Sequence, residues 1–98
     1  MSKKLGFKSV QGQVVEALLS GCFLHEARSQ IDVKNLLAMG EVSVEDVVKI
    51  IKRAKGTEHE SSVHHLDASV TVHIIKSAGW YIKFYFLEPD TWFISVHK

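Results

Sequence analysis

The spacing of apolar residues changes once along the chain, at Gly56, and that change limits the folds open to it. Before Gly56 apolar residues recur at steps of three and four; after it they recur at steps of two. The first period is that of an amphipathic helix and the second that of a strand with one face covered. Val10, Val14, Val15, Leu18 and Leu19, closed by Gly21, predict a helix over Val10–Leu19. Cys22–Ala27 reads as a short extended piece, and Arg28–Met39, with Ile31, Leu36, Leu37 and Met39 before Gly40, as a second helix. Ser43 stands where a helix cap belongs, with Asp46 three residues on. Val44, Val47, Val48 and Ile51 follow on one face, and Lys49, Lys52, Arg53 and Lys55 load the last turns before Gly56, which predicts a third helix.

Beyond Gly56, Ser69–Lys76, Trp80–Leu87 and Thr91–His97 are rich in β-branched and aromatic residues and predict three strands, with a further one over His59–His65. The links Ser77-Ala78-Gly79 and Pro89-Asp90 are short enough for hairpins. The expected class is α+β, with three N-terminal helices on one face of a C-terminal antiparallel meander, in a single domain over residues 1–98. Apolar residues at 46% against 23% charged fit a chain with a core. No apolar run reaches the ~18 residues of a membrane span, so no membrane partner is expected. The one cysteine, Cys22, cannot form an internal disulfide; it reads as a small buried side chain of a protein in a reducing, cytoplasmic compartment.

Alternation assigns Val70, Val72, Ile74, Trp80, Ile82, Phe84, Phe86, Trp92, Ile94 and Val96 to the core face of the meander. It assigns Thr71, His73, Tyr81, Lys83, Tyr85, Phe93, Ser95 and His97 to the other. That second face is either a plain solvated surface or one on which tyrosines stack on bases, Lys83 meets a phosphate, and His73 or His97 moves a proton. Charge is divided along the chain. Residues 1–56 carry nine Lys/Arg and six Asp/Glu, a balance of +3, whereas residues 57–98 carry three and five, a balance of −2, with five of the six histidines. None of those histidines falls into a metal-binding spacing, so acid–base work suits them better than ligation, and neither a metal nor another cofactor is expected. The cluster Lys49, Lys52, Arg53 and Lys55 reads first as a solvated, dipole-favoured helix end and second as a phosphate-binding patch.

Several segments, in this order, give the chain its resemblance to a known family. They are Val14-Val15-Glu16-Ala17-Leu18-Leu19-Ser20-Gly21, Ala27-Arg28-Ser29, Met39-Gly40 followed by Val44–Ile51, Ser61-Ser62 followed by His64, His65 and Asp67, Tyr81-Ile82-Lys83, and Ile94-Ser95-Val96-His97. Over roughly Val10–Lys98 the chain resembles the MqsR family of toxins, small messenger RNA interferases of the RelE-like fold that act beside a cognate antitoxin. The resemblance implies a metal-independent hydrolase of a type II toxin–antitoxin system that cleaves single-stranded RNA. It implies Tyr81 and His97 as the acid–base pair and His64 or His65 in place of a missing lysine. Lys83, Tyr85, His73 and Lys98 would be RNA contacts. Two positions depart from the family pattern: Glu60 stands where it has a catalytic lysine, and Val72 where it has a glutamine.

These departures keep open a silent relative that binds RNA or a protein without cutting. A third reading is an unrelated small α+β protein that dimerises through an exposed edge strand at Thr91–His97. The first reading expects RNA and an antitoxin as partners, with the protein a monomer or a dimer.

Overall fold

The computed structural model describes residues 6–25, 35–64, 69–87 and 90–98. Helix α1 spans Phe7–Ser20, strand β1 Phe23–His25, helix α2 Val44–Arg53, β2 His59–Val63, β3 Thr71–Ser77, β4 Trp80–Leu87 and β5 Asp90–His97; a 3₁₀ turn at Gly56–Glu58 leads into β2. The five strands form one mixed sheet in the order β1-β5-β4-β3-β2, antiparallel except where β1 runs parallel to β5. The class is therefore α+β, as the change of period predicts.

α1 buries Val10, Val14, Val15, Ala17 and Leu18, and Gly21 ends it at φ 80°, a left-handed conformation that glycine adopts without a Cβ penalty. α2 starts where Ser43 accepts a hydrogen bond from the Asp46 amide at 3.1 Å, and it buries Val47, Val48 and Ile51. Full burial of each such side chain contributes about 1.5–3 kcal/mol. Glu45 and Asp46 lie in its first turn and Lys52 and Arg53 in its last, the arrangement a helix dipole favours. The two helices are also tied by a side chain: Gln11 Nε2 donates to the carbonyls of Ile51 and Lys52 at 2.8 and 3.3 Å, in the last turn of α2.

Both helices cover one face of the sheet. The main core joins Val10, Val14 and Leu18 to Val47 and Ile51 and to Ile75, Ile82, Phe84, Phe93 and Val96. A smaller cluster of Val72, Tyr85 and Ile94, with Val70 and Trp92 against it, lies on the opposite face.

Four expectations are corrected. Two α-helices, not three, occur among the described residues. Of the helix expected over Arg28–Met39, residues 28–34 lie outside the described part. The remainder is a turn that opens where Asn35 bridges Val96 in parallel and the Leu36 amide donates to the Val96 carbonyl at 2.7 Å. Asn35 Oδ1 accepts from the Ala38 amide at 3.0 Å, a local bond that favours a turn over a continuing helix.

The alternation on β3 is inverted: Ile75, His73 and Ser77 share the helix-covered face with Phe84 and Ile82, while Val72 and Ile74 lie opposite with Tyr85 and Lys83. On β5 the phase changes mid-strand, because Lys83 pairs with Ser95 but Phe84 pairs with Phe93. Ile94 is thus the extra residue of a β-bulge. Val96 and Phe93 consequently both enter the main core, and Trp92 and Ile94 do not. Finally, β5 lies inside the sheet between β1 and β4, so Thr91–His97 is not an edge through which two copies could pair.

Candidate functional site

The sheet face opposite the two helices has a polar end and an aromatic end, and at the aromatic end Val72, Tyr85 and Ile94 are buried. At the polar end, register places Tyr81 of β4 opposite His97 of β5 on one side and Lys76 of β3 on the other. The Tyr81 and His97 rings are near-parallel, 18° apart in plane and 5.0 Å between centroids. The Lys76 ammonium lies 6.0 Å from the Tyr81 ring centroid and 3.2 Å from Glu60 Oε2 on β2. One step along, Lys83 faces Ser95 across β5 and Ile74 across β3. Four strands thus deliver a carboxylate, two ammonium groups, a phenol, an imidazole and a hydroxyl to one patch.

The His97 ring has a defined orientation. Its Nδ1 lies 3.1 Å from the Lys98 oxygen, which can only accept, so Nδ1 carries the hydrogen and Nε2 presents a lone pair when the ring is neutral. His97 also borders a hollow of about 290 Å³ with Leu36, Met39, Glu41 and Lys98.

The other candidate residues are placed elsewhere. His73 lies on the helix-covered face, 4% exposed, between His59 and the rings of Phe84 and Phe86. Its Nδ1 is 3.1 Å from His59 Nε2, and burial first, then the neighbouring imidazole, pushes its pKa down to about 4. It is neutral at pH 7 and turned away from the patch. His64 is buried and meets Tyr85 edge-on at 5.0 Å. Tyr85 in turn lies parallel to Trp92, with 3° between planes and 6.3 Å between centroids.

These rings make up the aromatic end, and Tyr85 sits four residues, about 13 Å, along β4 from Tyr81. His64 is therefore not assembled with the Tyr81–His97 pair. His65 lies outside the described residues. The Lys98 ammonium is held 5.5 Å over the Trp80 indole, which packs against the main core, and so is drawn off the patch. Val72 is 2% exposed in the smaller cluster, where a glutamine would need a buried partner.

Lys76 was not legible as a member of the site, whereas Glu60 was in view as the residue standing where the family has its catalytic lysine; one signal pointed to Lys76. Lys76 has the same parity as Val72 and Ile74, and a lysine in that phase marks the face as the one open to water. Cys22, expected to be buried, is exposed just past the end of α1, beside a hollow lined by Glu16, Phe86 and Asp90. Among the described residues no group of three or more His, Cys, Asp or Glu is placed to hold a metal, and no helix is long and apolar enough to cross a membrane. Comparison with protein-family models, with curated proteins and with solved structures returned no match.

Proposed function

We propose that the chain is a metal-independent endoribonuclease, a toxin-like messenger RNA interferase whose polar sheet end takes single-stranded RNA. The observation that carries this reading is the Tyr81–His97 pair, two groups able to move protons, stacked on the sheet face opposite the helices with cations beside them. In the reaction His97 Nε2 accepts the proton of a ribose 2′-OH as that oxygen attacks the adjacent phosphorus. Tyr81, a phenol and so a proton donor, protonates the departing 5′-oxygen, and Lys83 offsets the charge gathering on the phosphorane oxygens. The products are a 2′,3′-cyclic phosphate and a free 5′-hydroxyl, and solvent resets both protonation states.

The helices-on-one-face arrangement and the antiparallel run β2-β3-β4-β5 support a RelE-like fold of the MqsR kind, and with it a cytoplasmic protein held silent by a cognate antitoxin that covers the patch. A second reading, a relative that binds RNA without cutting it, is favoured by the Glu60 carboxylate beside Lys76. One experiment separates them: purified protein with mixed-sequence single-stranded RNA and EDTA, with new ends mapped. Discrete cuts that vanish in Tyr81→Phe and His97→Ala support the nuclease. RNA retained but uncut at high protein concentration sinks it in favour of the binding module.

A further inference from the structure

The geometry points to Lys76 as a phosphate-binding cation of this patch, and to Glu60 as a resident carboxylate that RNA displaces from it. The inference rests on the reading of the patch as an RNA site. Lys76 is the β3 residue directly opposite Tyr81, and its ammonium flanks the Tyr81 ring on the side away from His97. A phosphodiester lying across Tyr81 therefore meets Lys76 on one flank and the imidazole on the other. Lys83, one step along β4, has Ile74 and Ser95 as its cross-strand neighbours and no acid opposite it. The patch thus holds one lysine facing neutral neighbours and one already occupied by an anion.

What occupies Lys76 can be exchanged. The Glu60–Lys76 contact is 3.2 Å, but the two side chains are 59% and 53% exposed, so water screens the pair and its opening costs little. A phosphate offers the ammonium the same kind of anionic oxygen acceptor and carries its own charge, so it can take the place of Glu60. Glu60 also belongs to β2, an edge strand of the sheet, where its side chain is free to turn away into solvent. While it stays, its charge opposes an incoming phosphate and raises the RNA concentration at which the patch fills.

A merely structural ion pair makes both partners' substitutions act in the same direction; a displaceable occupant makes them act in opposite directions. The test measures binding of a 2′-O-methyl oligonucleotide, which cannot be cut, over a series of salt concentrations, alongside cleavage of the matching RNA in EDTA. The proteins are the wild type, Lys76→Gln, Lys76→Arg, Glu60→Gln and, as the cleavage control, Tyr81→Phe. Lys76→Gln is expected to weaken binding about tenfold and to lower the salt slope by about 0.7, the value of one phosphate contact on a single strand. Lys76→Arg is expected to restore both, and Glu60→Gln to tighten binding about threefold.

Unchanged affinity and slope in Lys76→Gln, while Tyr81→Phe still abolishes cleavage, would overturn the inference and leave the nuclease standing. Weakening by both Lys76→Gln and Glu60→Gln would overturn it as well. Opposite effects on binding without any cleavage would sustain the phosphate site and sink the nuclease, whereas a wild type that neither binds nor cuts ends both.

Discussion

Two histidines on neighbouring parts of one sheet have opposite chemistry. His97 stands on the face opposite the helices, its Nδ1 tied to a backbone oxygen and its ring stacked on a phenol ring. His73 stands on the helix-covered face, enclosed by Phe84, Phe86 and a second imidazole, and burial holds it neutral down to about pH 4. The residue type is the same and the strand context is similar. The difference is the face, which decides whether an imidazole stands among the polar groups of the patch or is enclosed as a hydrogen-bonded piece of core.

The largest expected effect separates the two directly. Tyr81→Phe or His97→Ala should lower RNA cleavage by about 10² to 10⁴ each while leaving the thermal midpoint within a few degrees. His73→Leu should leave cleavage per folded molecule unchanged. A cleavage loss in His73→Leu as deep as that in His97→Ala would erase the contrast.

Acid should act on the buried member. An unfolded histidine takes its proton near pH 6.5, but folded His73 resists until about 4, and burial lowers His25 and His59 in the same direction. The native state therefore binds fewer protons than the unfolded one in this window. The stability this represents is fully present above pH 6.5 and is lost as pH falls from 6.5 towards 4, by up to about 3 kcal/mol from His73 alone. Urea melts at pH 7 and pH 4.5 should show the fall, and His73→Leu should remove most of it. An equal fall in that variant would place the acid sensitivity elsewhere.

Why the face of His73 was misread is a matter of what alternation can report. Val70, Val72 and Ile74 alternate with Thr71 and His73, so hydropathy puts the first set inside; but the face opposite the helices has a buried apolar cluster of its own, and both sets are partly buried. On β4 only one phase is strongly apolar, and Trp80, Ile82, Phe84 and Phe86 were legible. The β5 bulge was not, because Ile94 is an ordinary strand residue and carries no glycine to betray it. Nor was the parallel pairing of β1, since three residues hold no register signal. α2 was the opposite case: the Ser43 cap, the acidic first turn and the basic last turn all agree with its apolar stripe. In the candidate site, Tyr81 and His97 were legible as a pair because they share a face whatever happens at Ile94's end of the strand. The ion pair of Lys76 with Glu60 depended on the β2–β3 register, which nothing in the sequence announces.

Two smaller effects probe the covering layer and the strand frame without entering either histidine's surroundings. Ser43→Ala removes the acceptor of the Asp46 amide and should cost about 1 kcal/mol by chemical denaturation, with RNA cleavage per folded molecule intact. The β3–β4 turn places both Ala78 and Gly79 at positive φ, 53° and 80°, as a two-residue type I′ hairpin requires. Asparagine enters this left-handed conformation more readily than alanine because its short polar side chain bonds the local backbone, so Ala78→Asn should stabilise by about 0.5–1 kcal/mol, a rise of a few degrees in thermal midpoint. A fall instead would mean that the turn is not of this kind.

The position of β5 has a consequence for how the chain comes into being. β1 is made early, yet its strand partner is β5, and Asn35 likewise waits for Val96. As the nascent chain leaves the ribosome, α1 can pack on α2 once that helix is made, but β1 has no strand partner until the segment ending at His97 has been synthesised. The strand that then slots into the sheet also carries the imidazole that pairs with Tyr81. Completion of the scaffold and completion of the proposed catalytic pair are thus one event in the life of the molecule, and a chain interrupted before it has neither.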